Sequence, residues 1–142
     1  MSQAKQITHD FDGRLQKIFQ EFFFNWFFSS KMSDQDIVDT YIADDFHAII
    51  DGVELNRDDF AQRVSLMRRS AVIERQEFVQ MMEQGDRLFS MHVVNGQSLK
   101  TDSAFKTRAI ALFVFDGDRI KDAYLNSATE GDPRDADIAF RH

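Results

Sequence analysis

The sequence predicts an α+β domain in which helices come first and an antiparallel meander follows. Three observations carry this. Apolar residues from Phe11 to Trp26 recur at helical spacing, four extended segments between residues 72 and 127 are separated by turn signals, and the run AIALFVF (109–115) is apolar at every position.

The first helix, about 10–30, follows from Leu15, Ile18, Phe19, Phe22, Phe23 and Trp26, which continue from Phe11 at the i, i+4, i+7, i+8 spacing of one face. It contains EFFFNWFF (21–28), six aromatics in eight residues. Phe22, Phe23, Trp26 and Phe27 continue the stripe, whereas Phe24 and Phe28 fall on the opposite side. That second pair needs cover from the second helix, the tail or a partner, and marks a binding surface if bare.

Ser33 or Asp34 can cap a second helix through Ile37, Val38, Tyr41 and Ile42, because their oxygens accept the free N–H groups of a first turn. ADDFHAIIDGVEL reads as a short hairpin turning at Asp51-Gly52. Asn56 or Arg57 begins a third helix with Phe60, Val64 and Met67 on one face; Asp58 and Asp59 suit its positive end. Strands are predicted over 72–83, 87–94, 104–115 and 119–127. Turns at Gln84-Gly85-Asp86, Asn95-Gly96 and Asp116-Gly117-Asp118 pair consecutive strands. Both faces of AIALFVF must be covered. The helices cover one, and a second subunit is the simplest cover for the other.

Composition bounds the function. A chain of 142 residues fits one domain, 1–142, with a core of about 10–128 and a polar tail, 129–142, that carries no assigned element. The net charge of -7 disfavours nucleic acid. No cysteine is present, so thiolate metal sites, disulfides and a Cys nucleophile are excluded. The first residues lack an apolar signal-peptide core, which makes the cytoplasm the expected compartment. EFFFNWFF is too short and too interrupted to span a bilayer, which takes about 20 apolar residues. Histidines at 9, 47, 92 and 142 lack metal-ligand spacing, there is no HExxH, and no glycine-rich phosphate loop occurs, so neither metal nor cofactor is expected.

Few polar residues suggest chemistry. His47 shares a strand face with Asp51, so the two could form an acid–base pair in which the carboxylate orients the imidazole; alternatively Asp51 only caps the Asp51-Gly52 turn. His92 lies within LFSMHVV beside Ser90 and Val94, as a pocket residue or a hydrogen-bonded core histidine. Arg108 could meet an anionic ligand group or pair with a neighbouring strand's Glu77. Arg63, Arg68, Arg69 and Arg75 read as a solvated helix end.

The blocks TYIADDFHAIIDG (40–52), FVQMMEQGDRLFSMHVVNG (78–96) and ALFVFDGDRIKDAYL (111–125) resemble the nuclear transport factor 2-like superfamily, in particular its SnoaL-like polyketide cyclases and ketosteroid isomerases. The resemblance covers about residues 16–127. It implies a curved sheet wrapped as a cone around the first helix, an apolar pocket at one end, and dimerisation through the outer sheet face. The pocket would be lined by Phe22, Phe23, Trp26, Tyr41, His47 and His92.

Carried over position by position, the resemblance places Trp26 where the isomerases have a Tyr, and an indole donates a hydrogen bond but gives up no proton. Asp51 is one residue out of register with their general base. Ala111 stands at their second oxyanion donor, so steroid isomerisation by that arrangement is not expected. Where the cyclases carry an Asp on the last strand, this chain has Asn126 and Ser127. The expected function is binding of a small apolar or aromatic molecule in the cone, with Asp51 and His47 as the candidate acid–base groups for isomerisation, dehydration or ring closure. The alternative is a non-catalytic homodimeric module whose cone is filled by its own rings.

Overall fold

The structure, a computed structural model, describes residues 11–135. Its elements run α1 (Arg14–Phe27), α2 (Asp34–Tyr41), β1 (Ile42–Ile50), β2 (Val53–Asn56), α3 (Arg57–Ser70), β3 (Ala71–Gln84), β4 (Arg87–Ser98), β5 (Ala104–Asp116) and β6 (Arg119–Glu130), followed by a 3-10 turn at Pro133–Asp135. The sheet order is β2-β1-β6-β5-β4-β3. β3 to β6 form the predicted meander. β1 and β2 form the predicted hairpin, and β1 also pairs with β6 in parallel, Ile50 beside Leu125. The sheet curves around α1, so that Phe78, Leu88, Phe113 and Leu125 from the strands share one core with Leu15, Phe19, Phe22, Phe23 and Trp26 from the helix.

α1 begins at Arg14, later than the spacing suggested; residue 10 lies outside the described residues. Its first turn is capped from a distance. Glu83 of β3 accepts the Gln16 N–H at 3.0 Å, placing a carboxylate at the positive helix end. A Cβ at Gly13 would come within 2.3 Å of that carboxylate, so glycine is what lets it approach. The other two caps are local: Ser33, one of the two predicted candidates, accepts the Asp36 N–H through Oγ at 3.0 Å, and Asn56 Oδ1 accepts the Asp59 N–H at 2.9 Å.

The Asn95-Gly96 pair, expected as a turn, lies inside β4. Gly96 faces inward there, because a Cβ would meet the Val72 carbonyl at 2.7 Å and the Phe105 ring at 2.8 Å. The chain reverses farther on, where the Ser98 N–H reaches the Ser103 carbonyl at 2.8 Å. β6 likewise continues to Glu130, past the predicted end of the core.

In AIALFVF, Ala109, Ala111, Phe113 and Phe115 point into the core and are buried. Ile110 points outward and is 53% exposed, with Leu112 and Val114 half-buried beside it. The outward row continues sideways. Met82 pairs with Phe89, Phe89 with Leu112, Leu112 with Tyr124, and Tyr124 with Ile49, an apolar line across five strands. At about 4.8 Å per strand it is roughly 19 Å long.

Candidate functional site

The middle of the cone is packed. A cavity of about 20 Å³ remains between α1 and the sheet, walled by Phe19, Phe22, Phe23, Trp26, Phe46, Phe60 and Phe113 with aliphatic neighbours from β1 and β6. That is room for about one water molecule, and the wall offers it no polar partner. The rings fill the rest: Phe19 lies edge-on to Phe23 at 4.8 Å, and Phe22 stacks on Trp26 at 5.4 Å.

Room opens at the end of the cone where α1 finishes. A cavity of about 410 Å³ lies there among Trp26, Phe27, Met32, Met67, Ala71 and Ile73, with Ser29, Ser30, Ser33, Arg68 and Val72 around it. Arg68 builds this end. Its guanidinium donates to the carbonyls of Asn25 at 2.8 Å, Trp26 at 3.0 Å and Met32 at 2.9 Å, and to Asp34 at 2.8 Å. The last carbonyls of α1 thus find a cation, which stops the helix and holds its end against α3. The Asp34 carboxyl is held below its usual range by the Ser65 hydroxyl and then by Arg68. Arg63 is buried and Arg68 half-buried, so two members of the basic run expected to be solvated are drawn into the structure.

The candidate acid–base pair is not assembled. His47 points away from the cone, its Nε2 3.2 Å from Glu54, whereas inward Phe46, Ala48 and Ile50 are buried. Asp51 caps the turn in the left-handed conformation, φ 51°, and both of its oxygens are taken by Ser127. The pleat put both residues on one side, but the turn at residue 51 breaks the alternation that the argument assumed. Arg108 also points outward and pairs with Glu130 rather than Glu77, which instead meets Arg75. Sequence alone could not show that β6 reaches far enough to supply Glu130.

Tyr41 is buried against Phe22 at 5.3 Å, but its hydroxyl serves α1, donating to Glu21 at 2.6 Å and accepting from Asn25 at 2.8 Å. Burial first, and then the Glu21 partner, push its pKa up to about 12. It lines an open groove on the far side of α1 with Arg14, Lys17 and Asp118. Phe22 and Phe23 line the small inner cavity, and Trp26 lines both cavities while its indole N–H is donated to the Val64 carbonyl at 3.2 Å.

His92 is in the core, within 5.2 Å of Phe23, 5.8 Å of Phe19 and 6.2 Å of Phe78, ring centre to ring centre. Its Nδ1 lies 2.9 Å from Ser90 Oγ, and burial lowers its pKa to about 4, so the ring is neutral. Gln76, which sequence reasoning passed over, is buried on the same inward face. In sequence it stands between Arg75 and Glu77, and only the bulge after Ile73 turns it inward, so no pattern along the chain marked it. Among the described residues no three carboxylate or imidazole groups converge as metal ligands, and no helix is long and apolar enough to cross a membrane.

Phe24 and Phe28 form a ring pair at 6.3 Å and remain 57% and 41% exposed.

No protein-family model and no curated protein matches the chain. Solved structures do. A protein with a ketosteroid isomerase-like fold from Catenulispora acidiphila, in complex with trimethylamine, superposes with a TM-score of 0.61 at 12% identity, over 77% of this chain and 83% of that one. A candidate polyketide cyclase from Acidithiobacillus ferrooxidans gives 0.60 at 16% identity, over 90% and 94%. An NTF2-like protein from Burkholderia xenovorans gives 0.60 at 13% identity, over 82% and 88%. The likeness establishes the fold: this is a nuclear transport factor 2-like cone, the architecture shared by ketosteroid isomerase-like and SnoaL-like proteins. Fold alone does not assign a reaction.

Proposed function

We propose that this protein binds a small apolar or aromatic molecule at the open end of the cone, beside Trp26, and does so as a binding protein rather than an acid–base enzyme. The observation that carries the reading is the 410 Å³ cavity walled by Trp26, Phe27, Met32, Met67 and Ile73, a size and lining suited to a small ligand. Neither cavity wall holds a carboxylate or imidazole, and its one cation, Arg68, is committed to three carbonyls and Asp34. The trimethylamine held by the Catenulispora protein is consistent with small-molecule binding on this fold. A panel of small aromatic and alicyclic molecules, followed by calorimetry and thermal shift, tests it. Ala71→Phe, which puts a ring into the cavity, should abolish binding seen with the unmodified chain; no measurable binding across the panel would end the reading.

The outer face favours a second element of function, self-association. The line from Met82 to Ile49, with Ile110 next to it, is a continuous apolar strip across the outer sheet face. A second copy laid on the same strip would cover it with two-fold symmetry. Sedimentation should give a dimer that Ile110→Arg dissociates. A monomer at micromolar concentration would remove this element and leave the ligand reading standing.

A further inference from the structure

Two side chains deep in the cone carry polar atoms without a hydrogen-bond partner. Gln76 is 7% exposed and His92 2% exposed, yet the Gln76 Oε1 and Nε2 and the His92 Nε2 make no hydrogen bond. A buried polar group left unpaired costs about 1–3 kcal/mol, and native proteins carry few. These two are neighbours. Gln76 pairs with Val94 and Phe78 with His92 across β3 and β4, so Gln76 and His92 stand diagonally on the inward face, within reach of one another's ligands. Neither is in the wall of the open cavity, but Gln76 is one inward step from it. Ile73 is in its wall, and Gln76 is the next inward residue along β3, since Glu74 and Arg75 turn outward at a bulge.

We propose that Gln76 and His92 are the polar anchor of a ligand subsite at the inner end of that cavity, and that the ligand is a neutral alcohol or phenol on an aromatic or alicyclic body. This rests on the binding reading above. A hydroxyl donates and accepts at once, so it fits either tautomer of His92 and either end of the Gln76 amide. The ring wall of Phe19, Phe23 and Phe78 around His92 supplies apolar contact and no counter-charge, which excludes an ionised head group.

The test compares 1-naphthol with naphthalene by calorimetry near neutral pH, on the unmodified chain and on Gln76→Leu. The unmodified chain should prefer 1-naphthol by roughly three- to tenfold, the worth of one net hydrogen bond, and Gln76→Leu should erase the preference while still binding naphthalene. In parallel, the 15N resonance of His92 Nε2 should shift on adding 1-naphthol. If neither probe binds, the binding reading itself fails. If both bind equally, or if Nε2 does not respond because ordered water alone satisfies it, the anchor is overturned and the binding reading survives. Gln76→Leu should melt no lower than the unmodified chain, since it removes an unpaired amide; a clear drop would mean that Gln76 serves packing instead.

Discussion

The carboxylate of Asp51 takes both the N–H and the hydroxyl of Ser127, each at 2.6 Å. With the Asp51 N–H on the Leu125 carbonyl at 2.9 Å, the turn after β1 is tied to the last strand at three points. Asp51 closes the parallel seam between β1 and β6. Asp51→Ala should therefore destabilise the fold by about 2–4 kcal/mol, from two charge-assisted bonds and a left-handed backbone that Ala disfavours. Asp51→Asn should cost less, because Asn adopts that conformation readily. Urea unfolding of the two variants measures the difference, and equal stabilities would remove the seam argument.

Arg68 predicts a contrast within the basic run. Arg68→Ala strips partners from three carbonyls and Asp34 and should cost about 2 kcal/mol or more, and Arg68→Lys should recover little because an ammonium cannot span the same fork. Arg69, next to it and exposed, should tolerate Ala within about 0.5 kcal/mol. Thermal melts of the three variants check this ordering.

His92 makes stability pH-dependent. Burial lowers its folded pKa to about 4, below the ordinary 6.5, so the unfolded chain binds the extra proton first. The contribution is complete above about pH 6.5 and is lost as pH falls toward 4, by up to about 1.4 kcal/mol per unit. Melting temperatures between pH 7.5 and pH 5 should decline for the unmodified chain and decline less for His92→Leu. Parallel slopes would show that another group governs the acid limb.

Gly96 tests the packing of the inner face. Gly96→Ala drives a methyl toward the Val72 carbonyl, 2.7 Å away, which cannot retreat without disturbing the β3–β4 ladder, and toward the buried Phe105 ring of β5. The melting temperature should fall by several degrees.

The helix caps and the meander were legible because their causes are local: a side chain reaching an N–H three residues on, or a glycine allowing a turn. What escaped was set by partners distant in sequence. Glu83 caps α1 from β3, Glu130 captures Arg108, and Ser127 captures Asp51. The same distance hid Gln76, which comes beside His92 only when β3 and β4 pair in this register. The Asn95-Gly96 signal misled for the same reason, because a glycine that serves a close approach and one that serves a turn look alike in sequence.

By itself, then, the sequence determined the fold class, the order of elements and the aromatic stripe of α1, since periodicity and turn chemistry act over a few residues. Tertiary structure alone decided which faces point inward, that the rings of EFFFNWFF close the middle of the cone while a cavity opens beyond Trp26, and that Asp51 and His47 stand apart. Those outcomes depend on strand register and on where curvature brings remote segments together, and a pattern along the chain does not encode distance across it.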